Sequence, residues 1–112
     1  MIIENSKIPK ILSRVAPINI LAITLWPFVF CKGTVSETTK RHETIHLHQQ
    51  RELLVLPFFL LYVAMWIIAL VKYRDGAVAY RKIPFEQEAY SNEEDEEYLS
   101  NRRRFAWREY KI

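Results

Sequence analysis

Hydrophobic residues are unevenly spread along the 112-residue chain, and two long runs hold many of them. The first run, residues 15–31, is interrupted only by Asn19, Thr24 and the prolines Pro17 and Pro27. Its length is near the lower limit for a spanning helix, and two prolines argue against one straight helix. A kinked, re-entrant or shallow membrane segment is therefore expected as readily as a span. The second run, residues 53–71, is uncharged and mostly apolar throughout, with Arg51 and Glu52 before it and Lys72 and Arg74 after it. It is the better transmembrane candidate, with a buried core helix as its alternative. Residues 1–14, carrying Lys7, Lys10 and Arg14, show no strong period and read as an interfacial lead-in.

Between the two runs the pattern is helical. Gly33 punctuates the chain, and Thr34-Val35-Ser36-Glu37 matches a capping box, so a helix is expected over 34–56. Pro57 can end or kink it at Leu56. Asp75-Gly76 is a turn signal, and Pro84 suits the first turn of another helix. A last helix is expected from Asn92 to about Trp107, because its start is acidic (Glu93 to Glu97) and its end basic (Arg102, Arg103, Arg104, Arg108). The expected architecture is mainly α: one domain over 1–112, a small helical membrane-associated bundle with C-terminal helices over 77–112.

Composition supports helices, because half the residues are hydrophobic and only two are glycine. A formal charge of +3 is too small to point to nucleic acid. Arg102–Arg104 follow an acidic stretch and do not interleave with base-stacking aromatics, so no nucleic-acid partner is expected. Basic residues flanking the apolar runs suit anionic lipid headgroups instead. Cys31 is the single cysteine, which excludes an intrachain disulfide or a cysteine-rich metal site. Bulky Phe28 and Phe30 also rule out a lipoprotein cleavage site before it.

The strongest chemical signal is His42-Glu43-Thr44-Ile45-His46. On a helix the two histidines lie about 40° apart around the axis, so both imidazoles face one point. Paired neutral imidazoles suit zinc. Glu43 falls on the adjacent side, where its carboxylate can take a proton from a water that the metal acidifies as that water attacks a carbonyl. His48, about 200° round from His46, cannot join the same cluster and reads as a surface or interface histidine. Gln49 and Gln50, three and four residues after His46, are placed to orient a ligand or touch substrate. Two histidines leave a catalytic zinc one ligand short. Glu37 is too close to the helix start and Glu52 points away, whereas Glu86 and Glu88 lie on a separate element and are free to approach.

The pairing of His42-Glu43-x-x-His46 with Glu86-Gln87-Glu88-Ala89-Tyr90 resembles the gluzincin arrangement. In membrane metallopeptidases that process prenylated proteins, their bacterial quality-control relatives and the anti-repressor peptidases, a later Glu-x-x-Ala-(Asp/Asn) motif gives the third zinc ligand. The resemblance implies Glu86 as that ligand and Ala89 as a close-packing residue, with Glu88 as a fallback ligand or supporting group. It covers residues 42–50 and 84–90, and small uncharacterised bacterial proteins share the same elements. Tyr90 departs from the pattern, because a phenol cannot serve as a carboxylate partner to a ligand histidine. No edge strand for holding an extended substrate is visible in the sequence.

One conflict constrains the topology. If residues 53–71 crossed the bilayer as a single helix, Glu86 would start on the far side from the histidines, and residues 72–86 are too polar to return through lipid. A site near the membrane interface, with the chain folding back to its starting side, avoids this. The function so implied is a membrane zinc metallopeptidase acting on a peptide or protein, with His42, His46 and Glu86 on the metal and Glu43 activating water. Its location would be the bacterial inner membrane with the site near the cytoplasmic interface. The competing class is a non-catalytic membrane protein with a structural or relic zinc site, serving as a subunit of a larger complex. A third reading has no metal at all.

Overall fold

The computed structural model describes residues 2–13 and 22–112. Residues 15–21 of the first apolar run, with Pro17 and Asn19, lie outside them, as does Arg14. The chain is mainly helical, and a small sheet covers one side of the motif helix.

The rest of the first apolar run corrects the helical expectation. Ala22–Leu25 (β2) and Phe28–Cys31 (β3) pair antiparallel, with Ala22 opposite Cys31 and Leu25 opposite Phe28. Trp26 and Pro27 form the turn between them. A short apolar run reads alike for helix and strand. Here β-branched and aromatic residues (Ile23, Thr24, Phe28, Val29, Phe30) favour the pleat. Val29 and Cys31 alternate with less buried Phe28 and Phe30, as one packed face requires. Ile2–Ile3 (β1) adds in parallel on the other side of β3, giving the order β1-β3-β2 and leaving β2 at an edge. A short helix, Ile8–Ser13 (α1), starts where the Ser6 hydroxyl accepts from the Ile8 N–H.

The motif helix runs Glu37–Leu53 (α2). Ser36, not Thr34, is its cap, accepting from the Thr39 N–H at 3.2 Å. It ends at Leu53, three residues earlier than expected, and Leu54 after it has φ +68°. The cause is still Pro57. In a continuing helix its ring would collide with the carbonyl of Leu53, four residues back. Breaking at Leu54 puts Pro57 in the first turn of the next helix, Val55–Tyr73 (α3), where no backbone N–H is needed.

Helix α3 is long and apolar enough to cross a membrane, yet only Phe58 and Ala69 of it are buried. Arg74 closes it in a left-handed conformation, and Asp75 caps the next helix, Gly76–Lys82 (α4), through the Ala77 and Val78 N–H groups. The Trp66 indole donates to the Gly76 carbonyl, tying the start of α4 to α3. Pro84 then opens Pro84–Asn92 (α5), as expected, and Ile83 separates it from α4. The residue before a proline avoids the helical region. Phe58, Ile83 and Phe85 form the core between α3 and α5, with Tyr62, Trp66 and Trp107 packed around them.

The expected helix over 92–107 does not form. Only Tyr98–Asn101 (α6) and a 3-10 turn, Ala106–Glu109, follow α5. Arg102 is drawn instead into a buried bridge with Glu52 and Glu88, and Phe105, at φ +59°, gives its N–H to Glu52. These tertiary ion pairs outweigh the local charge gradient along the helix.

Candidate metal centre

His42 and His46 stand one turn apart on α2 and turn their rings toward α5. Their Nε2 atoms are 3.2 Å apart, and Glu86 Oε1 lies 3.2 Å from His42 Nε2 and 3.0 Å from His46 Nε2. Glu86 reaches this point because Pro84 sets the start of α5 and so places Glu86 in its first turn, facing α2. All three residues are buried, and they form a group of ligand atoms within 4.8 Å of one another. The structure thus brings together the three residues singled out from the sequence.

Which atoms carry protons follows from the outer hydrogen bonds. Gln49 Nε2 donates to the Phe85 carbonyl and to Glu88, so its Oε1, 2.7 Å from His46 Nδ1, must accept. His46 therefore carries its proton on Nδ1 when neutral. Glu93 Oε2 lies 2.7 Å from His42 Nδ1, and a carboxylate there fixes the same tautomer. Both Nε2 atoms are then bare acceptors, in contact with a third acceptor, the Glu86 carboxylate. Three converging acceptors need a cation between them, and two imidazoles with one carboxylate match the donor set of a divalent transition metal.

Without a metal, a proton fills that place. Burial pushes the His46 pKa down, but the charge and hydrogen bond of Glu86, with help from Glu43 and Gln49, raise it to about 9. For Glu86, burial pushes upward, but the His46 charge and the contacts with both histidines hold its carboxyl well below the ordinary range. The Tyr62 hydroxyl donates to Glu86 Oε2 at 2.7 Å, leaving Oε1 to face the histidines.

Glu43 stands beside this cluster and outside it. Its Oε2 accepts from the Thr24 hydroxyl at 2.8 Å, so β2 positions the carboxylate. The same strand is tied to α2 by Gln50, which takes the Trp26 N–H at 2.7 Å and gives its own amide to the Thr24 carbonyl at 2.6 Å. A cleft of 580 Å³ runs between the β2 edge, α2, and the side of α3 and α4, with Ile23, Glu43, Phe59, Tyr80 and Arg81 among its walls. The edge strand that the sequence did not reveal is therefore present, built from part of the supposed membrane segment.

Glu88 is not in the metal group. Fully buried, it binds Arg102 at 2.6 and 3.1 Å, accepts from the Tyr98 hydroxyl, and supports Gln49. His48 lines a separate pocket with Arg51, Glu52 and Arg102. Tyr90 meets His42 edge-on, ring centroids 4.5 Å apart, and supplies packing only on that side. The carboxylate partner that Tyr90 cannot be is Glu93. Its signal was legible in the sequence: Glu93 is seven residues after Glu86, two helical turns along the same face. Thr24 and Tyr62 had no sequence signal.

A scan against protein-family models and searches of curated proteins and solved structures found no match to this chain.

Proposed function

We propose that the chain is a zinc-dependent peptidase associated with a membrane, with His42, His46 and Glu86 as ligands and Glu43 as the proton acceptor. The observation that carries this reading is the convergence of two Nε2 lone pairs and one carboxylate oxygen at 3.0 to 3.2 Å, with both Nδ1 atoms already committed. Zinc bound there would acidify water and polarise a carbonyl. Glu43, fixed by Thr24 next to the cluster, would accept a proton from the attacking water and pass it to the leaving amine. The Tyr80 hydroxyl lines the cleft, and burial first and then Glu86 raise its pKa, so it stays a donor. Ala22, Ile23 and Thr24 of β2 line the cleft beside Glu43, where an extended peptide would lie. The resemblance to gluzincins and the apolar α3 agree with this reading.

A non-catalytic zinc staple is the second reading, and it needs a fourth protein ligand. Among the described residues the group holds three, and Glu88 and His48 have other surroundings. The test is zinc stoichiometry of the purified protein together with cleavage of quenched fluorescent peptides. Glu43→Ala should keep one zinc and lose cleavage, while Glu86→Ala should lose most of the zinc. A protein that takes up no zinc overturns both readings. Zinc without cleavage of any peptide leaves only the staple.

A further inference from the structure

The outer face of α3 is a single apolar stripe. Leu56, Leu60, Val63, Ile67, Ile68 and Val71 are each 51 to 71 % exposed. At 100° per residue they fall within about 140° of arc. The opposite face carries Phe58 and the Tyr62 hydroxyl that holds Glu86. A one-sided stripe of this length is far more apolar surface than a solvated helix leaves uncovered.

Both ends of the stripe are basic. At the start, Arg51 lies in the last turn of α2, three residues before Leu54. Arg104 joins it in lining one pocket, held there because neighbouring Phe105 binds Glu52. The Glu52 charge is itself neutralised by Arg102. At the far end stand Lys72, which donates to the Ile112 carbonyl, and Arg74. The nearby Asp75 carboxylate is engaged with the α4 backbone.

We propose that α3 lies in the plane of an anionic membrane, its apolar stripe among the acyl chains and the basic groups at both ends in the headgroup layer. This rests on the membrane association proposed above and is independent of the peptidase chemistry. Crossing the bilayer is disfavoured by the fold. The chain turns back through α4 and reaches Glu86 at the level of Tyr62, so a spanning α3 would carry Arg81, Lys82 and the metal group into the hydrocarbon. A second copy of the chain is disfavoured by charge, because stripe-to-stripe packing in either direction brings basic ends together. Lipid phosphates complement all of them. The metal centre then sits roughly one helix diameter, about 10 Å, above the lipid-facing surface.

The test uses the full chain and preformed vesicles of phosphatidylcholine with or without phosphatidylglycerol. The protein should float with anionic vesicles and bind neutral ones more weakly, each of Arg51→Gln and Arg74→Gln lowering anionic binding about fivefold. The double variant Leu60→Asp, Ile67→Asp should keep its helix content by circular dichroism and cease to float. Arg51→Cys and Arg74→Cys should both react with an impermeant maleimide added outside, against the fully buried Cys31 as background. Flotation with one of these cysteines protected until detergent is added would overturn the in-plane placement and leave membrane association standing. Flotation of the double variant would overturn the role of the stripe. A wild-type protein that does not float, whether monomer or dimer by light scattering, would overturn both.

Discussion

Glu93 Oε2 lies 2.7 Å from His42 Nδ1, so the histidine that faces Glu86 with one nitrogen is held from behind by a second glutamate of the same chain segment. Carboxylates in this position orient a ligand imidazole and raise its basicity, and their loss costs about 10- to 100-fold in metal affinity. Glu93→Gln should therefore still bind zinc at the same stoichiometry but more weakly by that factor. Competition against a chromophoric chelator measures it, and unchanged affinity would remove Glu93 from the site.

Thr24 tests whether β2 serves the chemistry. Thr24→Val keeps the strand and removes the hydroxyl that Glu43 accepts from. A hydrogen bond to a charged group contributes about 1.5–3 kcal/mol to stability, so melting temperature should fall by that loss. Turnover should fall about tenfold or more because Glu43 is no longer held, and zinc content should stay near wild type. A parallel loss of zinc would mean that Thr24 supports the fold and not Glu43.

Arg102 neutralises two buried carboxylates at once, Glu52 and Glu88. Arg102→Met leaves both charges without their partner, and removing one member of a buried ion pair costs about 3–5 kcal/mol. Urea denaturation should show that loss. Glu88→Gln combined with Arg102→Met should recover part of it, because one stranded charge is gone. Glu88 also supports Gln49 and through it His46, so zinc affinity should fall in the single variant as well.

The metal-free protein should show a stability profile set by His46 and Glu86. The His46 pKa is raised from its ordinary 6.5 to about 9, so its contribution is complete below pH 6.5 and lost as pH rises through 9. The Glu86 pKa is lowered from 4.5, so its contribution is present above pH 4.5 and lost as pH falls through the folded-state value. Melting temperature in chelator should peak between pH 4.5 and 6.5 and decline toward pH 9. Zinc should abolish the alkaline decline, because the metal takes the proton's place. A flat profile in chelator from pH 6.5 to 9 would show that the two groups are not coupled.

One part of the site, the part that depends on helical spacing, is legible in the chain before it folds. His42 and His46 four residues apart, with Glu43 on the neighbouring side, define one face of any helix that contains them. Glu86 came from its motif, and the return of Glu86 to the starting side was required by the polarity of residues 72–86. Pro57 also marked the helix break, although the steric clash acts four residues back and ends the helix at Leu53.

The other features came from contacts between elements, and the reason is the same each time: the partner is far away in the chain. Residues 22–31 are apolar enough for a helix or a strand, and pairing with β1 and packing on α2 made them strands. The acidic-to-basic gradient over 92–107 suits a helix locally, but Arg102 gains more from Glu52, 50 residues away, and from Glu88. Thr24 and Tyr62 are an ordinary strand threonine and an ordinary helix tyrosine until the fold sets their hydroxyls 2.8 Å and 2.7 Å from Glu43 and Glu86. Spacing along one helix is fixed by backbone geometry, whereas contacts between elements depend on which of several packings buries the most surface with every charge paired.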